Sequence, residues 1–183
     1  MRVYLAGPDV FLPDAAARAA ALKAVCDRHG LHGVSPLDAL ADEPAAWSGL
    51  PEALRIARRN EAHIRTCQAL VANLTPFRGP SADVGTVLEV GFARALGLPV
   101  WAWSNDPRPF AERTRAFLGT ADGRDAEGLL VEDFALHDNL MIEGAVLASG
   151  GTLVLGDVPA PARWRDLGAF TRCVAALARQ AAG

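Results

Sequence analysis

Residues 69–103 read ALVANLTPFRGPSADVGTVLEVGFARALGLPVWAW, and this stretch decides the fold. Ala69-Leu70-Val71-Ala72 is a short apolar run, as expected of a strand covered on both faces. Thr75 to Ala82 holds Pro76, Gly79 and Pro80 and reads as a loop. Asp83 or Thr86 can cap the helix that follows, which carries Leu88, Phe92, Ala95 and Leu96 and is stopped by Gly97. Pro99 to Trp103 is apolar again. Strand, helix and strand in succession call for parallel strands joined by a crossover.

The pattern extends in both directions. Upstream, Val3 to Ala6 is a buried strand closed by Gly7-Pro8. A helix from Asp14, its candidate N-cap, to His29 follows, with Leu22, Val25, Cys26 and His29 on one stripe and Gly30 as its stop. His32 to Ser35 is a weak strand ending at Pro36, and the polar stretch through Leu50 is an irregular loop. Pro51 opens a helix reaching Thr66, with Leu54, Ala57, Glu61 and Ile64 on one face. Downstream, Arg108 to Leu118 is helical, Thr120 to Gly128 is polar, and Leu129-Leu130-Val131 is expected to be a short strand. Leu140 to Leu147 is helical after Asp138, Thr152 to Leu155 is a last strand, and Arg163 to Ala182 is a final helix carrying Leu167, Phe170, Val174 and Leu177. The fold expected is α/β and doubly wound: a mainly parallel sheet with helices on both faces, in a single domain over 1–183. Ligands of such sheets bind at the carboxyl ends of the strands, so the loops after Ala6, Leu74 and Trp103 should share one rim.

Composition narrows the functional classes. The 183 residues are 51% hydrophobic and 21% charged, with a net charge of -3, which suits a globular domain rather than a disordered chain or coiled coil. Lys plus Arg number 18 against 21 Asp plus Glu, with no run of five like charges, so the footprint of a nucleic-acid polymer binder is missing. No apolar stretch approaches the ~20 residues of a membrane span. Cys26, Cys67 and Cys173 are scattered, which suggests neither disulfides nor zinc and points to a reduced, cytoplasmic protein. His29, His32, His63 and His137 have no metal-ligand spacing and read as surface or helix-end residues.

Chemistry concentrates on Glu89. It lies among Val87, Leu88 and Val90 in the first turns of a helix, with Gly85 and Gly91 leaving room for a ligand. Burial raises such a carboxylate's pKa and the helix N-terminus opposes the rise, a balance suited to an ionised nucleophile. Asp83, six residues earlier, supplies a second carboxylate; such pairs divide labour around a glycosidic bond. The alternative is that Asp83 only caps the helix and Glu89 pairs with Arg94 in solvent. Phe11 and Phe77 can sandwich a base or pack under their own loops. Arg78 and Ser81 can take a phosphate or remain solvated.

Tyr4-Leu5-Ala6-Gly7-Pro8-Asp9-Val10-Phe11, Asn73-Leu74-Thr75-Pro76-Phe77-Arg78-Gly79, Asp83-Val84-Gly85-Thr86-Val87-Leu88-Glu89-Val90-Gly91 and Asp138-Asn139-Leu140-Met141 together resemble the nucleoside 2-deoxyribosyltransferase family. The resemblance implies a flavodoxin-like fold and a site with Gly7 and Gly85 beside the substrate. It implies that Glu89 attacks C1′ of a 2-deoxynucleoside, that Asp83 binds sugar hydroxyls and orients the nucleophile, and that Tyr4 contacts Glu89. Asn139 matches an asparagine reaching a neighbouring subunit's site, so a homo-oligomer, dimer or higher, with shared sites is implied. No metal or organic cofactor is expected; the partners are 2-deoxynucleosides and free nucleobases. Gln68 stands where many members carry an aspartate that assists protonation of the departing base, and a glutamine has no carboxylic proton. Gln68 can hydrogen-bond a base edge instead, or Asp38 or Asp9 can take the proton role. The rivals are an N-glycosidic hydrolase of 2-deoxynucleosides or their 5′-monophosphates and a non-catalytic nucleotide sensor on the same fold.

Overall fold

Alternation of side chains across each strand builds two separate cores. In the computed structural model, which describes residues 1–182, β1 (Arg2–Ala6), β2 (His32–Val34), β3 (Ala69–Asn73), β4 (Val100–Ser104) and β5 (Leu153–Leu155) form one sheet in the order β2-β1-β3-β4-β5. Every adjacent pair is parallel. Because successive Cβ atoms point to opposite faces, Val3, Leu5, Val71, Trp101 and Trp103 pack on one side. Tyr4, Leu70, Ala72, Val100 and Ala102 pack on the other.

Helices α1 (Ala15–Arg28) and α6 (Gly168–Ala182) cover the first face. The second is covered by α2 (Glu52–Arg65), α3 (Val84–Ala95) and α5 (Leu140–Ala148), and α4 (Phe110–Leu118) lies between β4 and α5. Phe170, Cys173, Val174 and Leu177 form the buried stripe of α6, each apolar side chain contributing roughly 1.5–3 kcal/mol by leaving water. This is the flavodoxin-like, doubly wound α/β arrangement. The chain leaves β1 for β2 and then returns past β1 to β3, so the switch point, where ligands bind in such sheets, lies between the carboxyl ends of β1 and β3.

Several elements depart from their sequence pattern. Leu129 to Val131 form no strand; Leu130 makes only an isolated bridge to Arg124 and is 74% exposed, because no neighbouring strand offers a ladder. The last helix begins at Gly168, five residues later than its pattern suggests. There the Asp166 carboxylate accepts the Gly168 N–H at 2.7 Å, and the Arg163 and Asp166 carbonyls accept from the Asn105 side chain. On the Leu54-Ala57-Glu61-Ile64 face of α2 only Ile64 is buried in the core; Leu54 is exposed, and Ala57, Glu61 and Ile64 border an open cleft between α2 and α3. Asp14 stands at the start of α1 without capping it by its side chain, which is ion-paired with Arg165. His63 lies at a helix end as expected, in the last turn of α2, but is buried there, with Nε2 3.1 Å from the Asp38 carbonyl oxygen.

Candidate active site

The loop after β3 ends at Asp83, whose Oδ2 accepts the Thr86 N–H at 2.9 Å and the Thr86 hydroxyl at 3.0 Å and so caps α3. Asp83 Oδ1 keeps no partner among the described residues. Glu89, in the second turn, is half-buried and turned toward the sheet. The Tyr4 hydroxyl donates to Glu89 Oε1 at 2.7 Å, and Asn60 Nδ2 from α2 approaches the same oxygen at 3.3 Å. Glu89 has no basic partner, so the pairing with Arg94 does not form, and Oε2 is left unengaged beside the cleft among the described residues.

Burial pushes the Glu89 carboxyl up to about 7; the Tyr4 hydrogen bond opposes this, the nearby Asp83 charge adds to it, and Asn60 opposes it weakly. The expected balance with the helix N-terminus therefore tips toward burial. Glu89 is the sixth residue of α3, and the dipole fades beyond the first turn. Tyr4 is driven well above its ordinary range, first by burial and then by the adjacent Glu89 charge, so it remains a hydroxyl donor. Tyr4→Phe removes the shortest bond to the carboxylate. A hydrogen bond to a charged group is worth about 1.5–3 kcal/mol, so kcat is expected to fall roughly 10- to 100-fold. The acid limb of the pH–rate profile should move to higher pH, since the lost bond was lowering the Glu89 pKa. An unmoved limb would remove Tyr4 from the mechanism.

The remaining sequence candidates divide sharply. Gln68 lies outside the cleft. It precedes β3 at the amino edge of the sheet, where its Oε1 accepts the Arg2 N–H at 2.8 Å and its Nε2 reaches the Thr66 carbonyl at 3.3 Å. The carboxamide beside Glu89 is that of Asn60, which no motif singles out among the polar positions of α2; its Oδ1 is buried with no partner among the described residues. Asp38 binds Lys23 and the Ser35 N–H. Burial raises its pKa, but these partners outweigh burial and hold it below the usual carboxylate range, so it is no acid for a leaving base. Asp9 is buried in an ion pair with Arg18 at 2.7 Å and accepts from Asn73 Nδ2 at 2.8 Å. Gly7 makes that pairing possible, because a Cβ there would stand 2.7 Å from Asn73 Cβ and 2.8 Å from Asp9 Oδ2. At Gly85 an added Cβ would lie 3.1 Å from Asp83 Oδ2, so the absent side chain keeps the Asp83 carboxylate clear.

Phe11 and Phe77 do not form a sandwich. Their rings stack directly on each other, with centroids 5.3 Å apart and planes 14° from parallel. A base between them would need about twice an aromatic stacking spacing of 3.5–4.0 Å, so only an outer surface of the pair can receive one. The Arg78 guanidinium lies 4.6 Å from the Phe77 ring centre and 5.2 Å from that of Phe11. Its proposed companion Ser81 is committed to Asp138, to which its hydroxyl donates at 2.5 Å. Asn139 caps α5 by accepting the Met141 N–H at 3.0 Å and donates to Glu132 at 2.7 Å. Asp138, fully buried, also accepts the Ala82 and Asn139 N–H groups at 3.0 and 2.8 Å. One carboxylate thus fixes the loop carrying Asp83 to the loop carrying Asn139. Arg113 reinforces it by donating to the Pro80 and His137 carbonyls.

Fold and site define a flavodoxin-like α/β protein organised around a poised carboxylate below its switch point. A family model for nucleoside 2-deoxyribosyltransferases matches residues 3–141. An uncharacterized protein of Schizosaccharomyces pombe, C191.05c, is 32% identical over 165 residues, covering 81% of this chain and 78% of that protein. A solved structure of a 2-desoxiribosyltransferase from Leishmania mexicana is 35% identical with a TM-score of 0.61, over 77% of this chain and 84% of that one. A conserved protein from Enterococcus faecalis V583, 20% identical, shares the fold with a TM-score of 0.56 over 95% of this chain and 96% of its own. The chain belongs to the nucleoside 2-deoxyribosyltransferase family. That family's enzymes act on N-glycosidic bonds and bind nucleosides and nucleobases. No helix among the described residues is long and apolar enough to cross a membrane.

Proposed function

We propose that this protein transfers a 2-deoxyribosyl group from one nucleobase to another by double displacement at Glu89. The observation that carries the reading is a half-buried carboxylate with one oxygen held by Tyr4 and Asn60, the other unengaged, and no ion pair to quench it among the described residues. In the first step a Glu89 oxygen bonds to C1′ while the C1′–N bond breaks; its electron pair leaves with the base as an anion, which then takes up a proton from water. In the second, a nitrogen of the incoming base bonds to C1′, the ester bond to Glu89 breaks, and the carboxylate is regenerated as that nitrogen loses its proton. Asp83 offers its unpaired Oδ1 to the sugar hydroxyls. Asn60 donates a hydrogen bond but no acidic proton, which favours bases that leave readily as anions.

We also propose that the protein works as a homo-oligomer with shared sites. Val84 and Leu88 on α3 are 85% and 73% exposed and Met141 on α5 is 66% exposed, an apolar surface flanking both Glu89 and Asn139. Light scattering should report a dimer or larger, and a monomer at micromolar concentration counts against shared sites.

The test of the reaction is chromatography of products from deoxyinosine or thymidine, with and without adenine. New deoxyadenosine establishes transfer. Free base without a new nucleoside makes the protein a hydrolase, to be followed with 5′-monophosphates. No product from any substrate favours a sensor and overturns the proposal.

A further inference from the structure

We propose that Trp164, beyond the family-matched residues, is a positioning residue that holds the aromatic wall at the mouth of the site. That the wall faces a base rests on the proposed function; that Trp164 holds it rests on geometry. The wall joins two loops that part at the switch point: Phe11 follows β1 and Phe77 follows β3. No backbone hydrogen bond links these loops among the described residues. The ring stack spans them, and a stack of two loop side chains has little intrinsic rigidity.

The Asn73–Asp9 hydrogen bond ties the bases of the two loops, and Trp164 adds a restraint at the rings themselves. Its ring meets Phe77 edge-on, with centroids 5.9 Å apart and planes at 89°, an arrangement in which the positive edge of one ring meets the negative face of the other. The backbone that delivers it is tied on both sides. The Arg165 carbonyl accepts from Arg18 at 3.1 Å, and Arg18 is the ion-pair partner of Asp9 in the β1 loop. The Arg163 and Asp166 carbonyls accept from Asn105, beyond β4, at 2.8 and 3.2 Å. The same contacts that delay the start of α6 therefore present Trp164 to Phe77. By fixing the plane of Phe77, Trp164 fixes the surface that Phe11 and Arg78 complete.

The experiment compares Trp164→Ala and Trp164→Phe with the wild type in steady-state transfer from deoxyinosine to adenine, and in hydrogen exchange of the apoprotein. Trp164→Ala should raise KM for nucleoside and base about tenfold with kcat within about threefold, while Trp164→Phe restores KM to within about twofold. Peptides covering 8–12 and 75–79 should exchange faster in Trp164→Ala, with α3 unchanged. Unchanged KM, or equal losses in kcat and KM that Trp164→Phe does not rescue and that follow a lowered melting temperature, would overturn the inference. Should the wild type show neither transfer nor hydrolysis, the proposed function fails and exchange alone decides: faster exchange in both loops supports the positioning role, and unchanged exchange removes it.

Discussion

Replacing Glu89 by Gln is expected to lower turnover by roughly 10⁴-fold, since an amide oxygen cannot form the glycosyl ester. The fold should survive, and it should become more stable in a pH-dependent way. The Glu89 pKa is about 7 in the folded protein against an ordinary 4.5. The folded state therefore binds the proton more tightly than the unfolded chain. The resulting stability is fully present below about pH 4.5 and is lost as pH rises through about 7. Gln imitates the protonated form at every pH. Near pH 8 Glu89→Gln should exceed the wild type by about 1–2 kcal/mol, allowing for solvent screening at a half-buried site. Near pH 4 the two should melt alike. Wild-type kcat should rise through about pH 7 as the carboxylate ionises. Denaturant titrations at the two pH values read the first effect and a pH–rate profile the second. Retained turnover in the variant would exclude Glu89 as the nucleophile, and a stability gap of the opposite sign would exclude its raised pKa.

Arg18→Ala should be the most destabilising of these changes. Arg18 is 5% exposed, paired with the buried Asp9, and its guanidinium lies 5.9 Å from the Trp103 ring centre. Removing it leaves the Asp9 carboxylate buried without a cation, a defect that costs about 3–5 kcal/mol. For a chain of this size that lowers the melting temperature by about 10 °C. Combining Arg18→Met with Asp9→Asn should recover most of the loss, because neither charge is then stranded. Calorimetry of the single and double variants checks this, and a single variant melting within about 2 °C of the wild type would show that the pair is not a structural anchor.

The five strands, most helix limits and the candidate carboxylate Glu89 are legible because each depends on local pattern. Ala69 to Ala72 could only be a covered strand, and Glu89 stood out as a carboxylate in an apolar helical turn. What escaped depends on which groups meet. Gln68 draws attention by its place in the family pattern, and only the strand's direction reveals that it sits at the amino edge of the sheet, away from the cleft. Asn60 is invisible in a helix rich in polar residues until α2 is laid beside α3. Phe11 and Phe77 meet, but nothing in their spacing says whether two rings hold a base or hold each other. Arg163 to Leu167 has helical spacing, yet Asn105, about 60 positions earlier, captures its carbonyls.

The braces on residues 163–166 also set the order in which the molecule can be finished during synthesis. The bonds from Arg18 to Arg165 and from Asp14 to Arg165 join positions 147 and 151 residues apart. At roughly 5–20 residues per second, the ribosome needs on the order of 7–30 s to bring the second partner into existence. By then all five strands have been made, and Tyr4 and Glu89 are both in the chain. A nascent chain paused before residue 163 thus contains Tyr4 and Glu89 but none of the braces on residues 163–166.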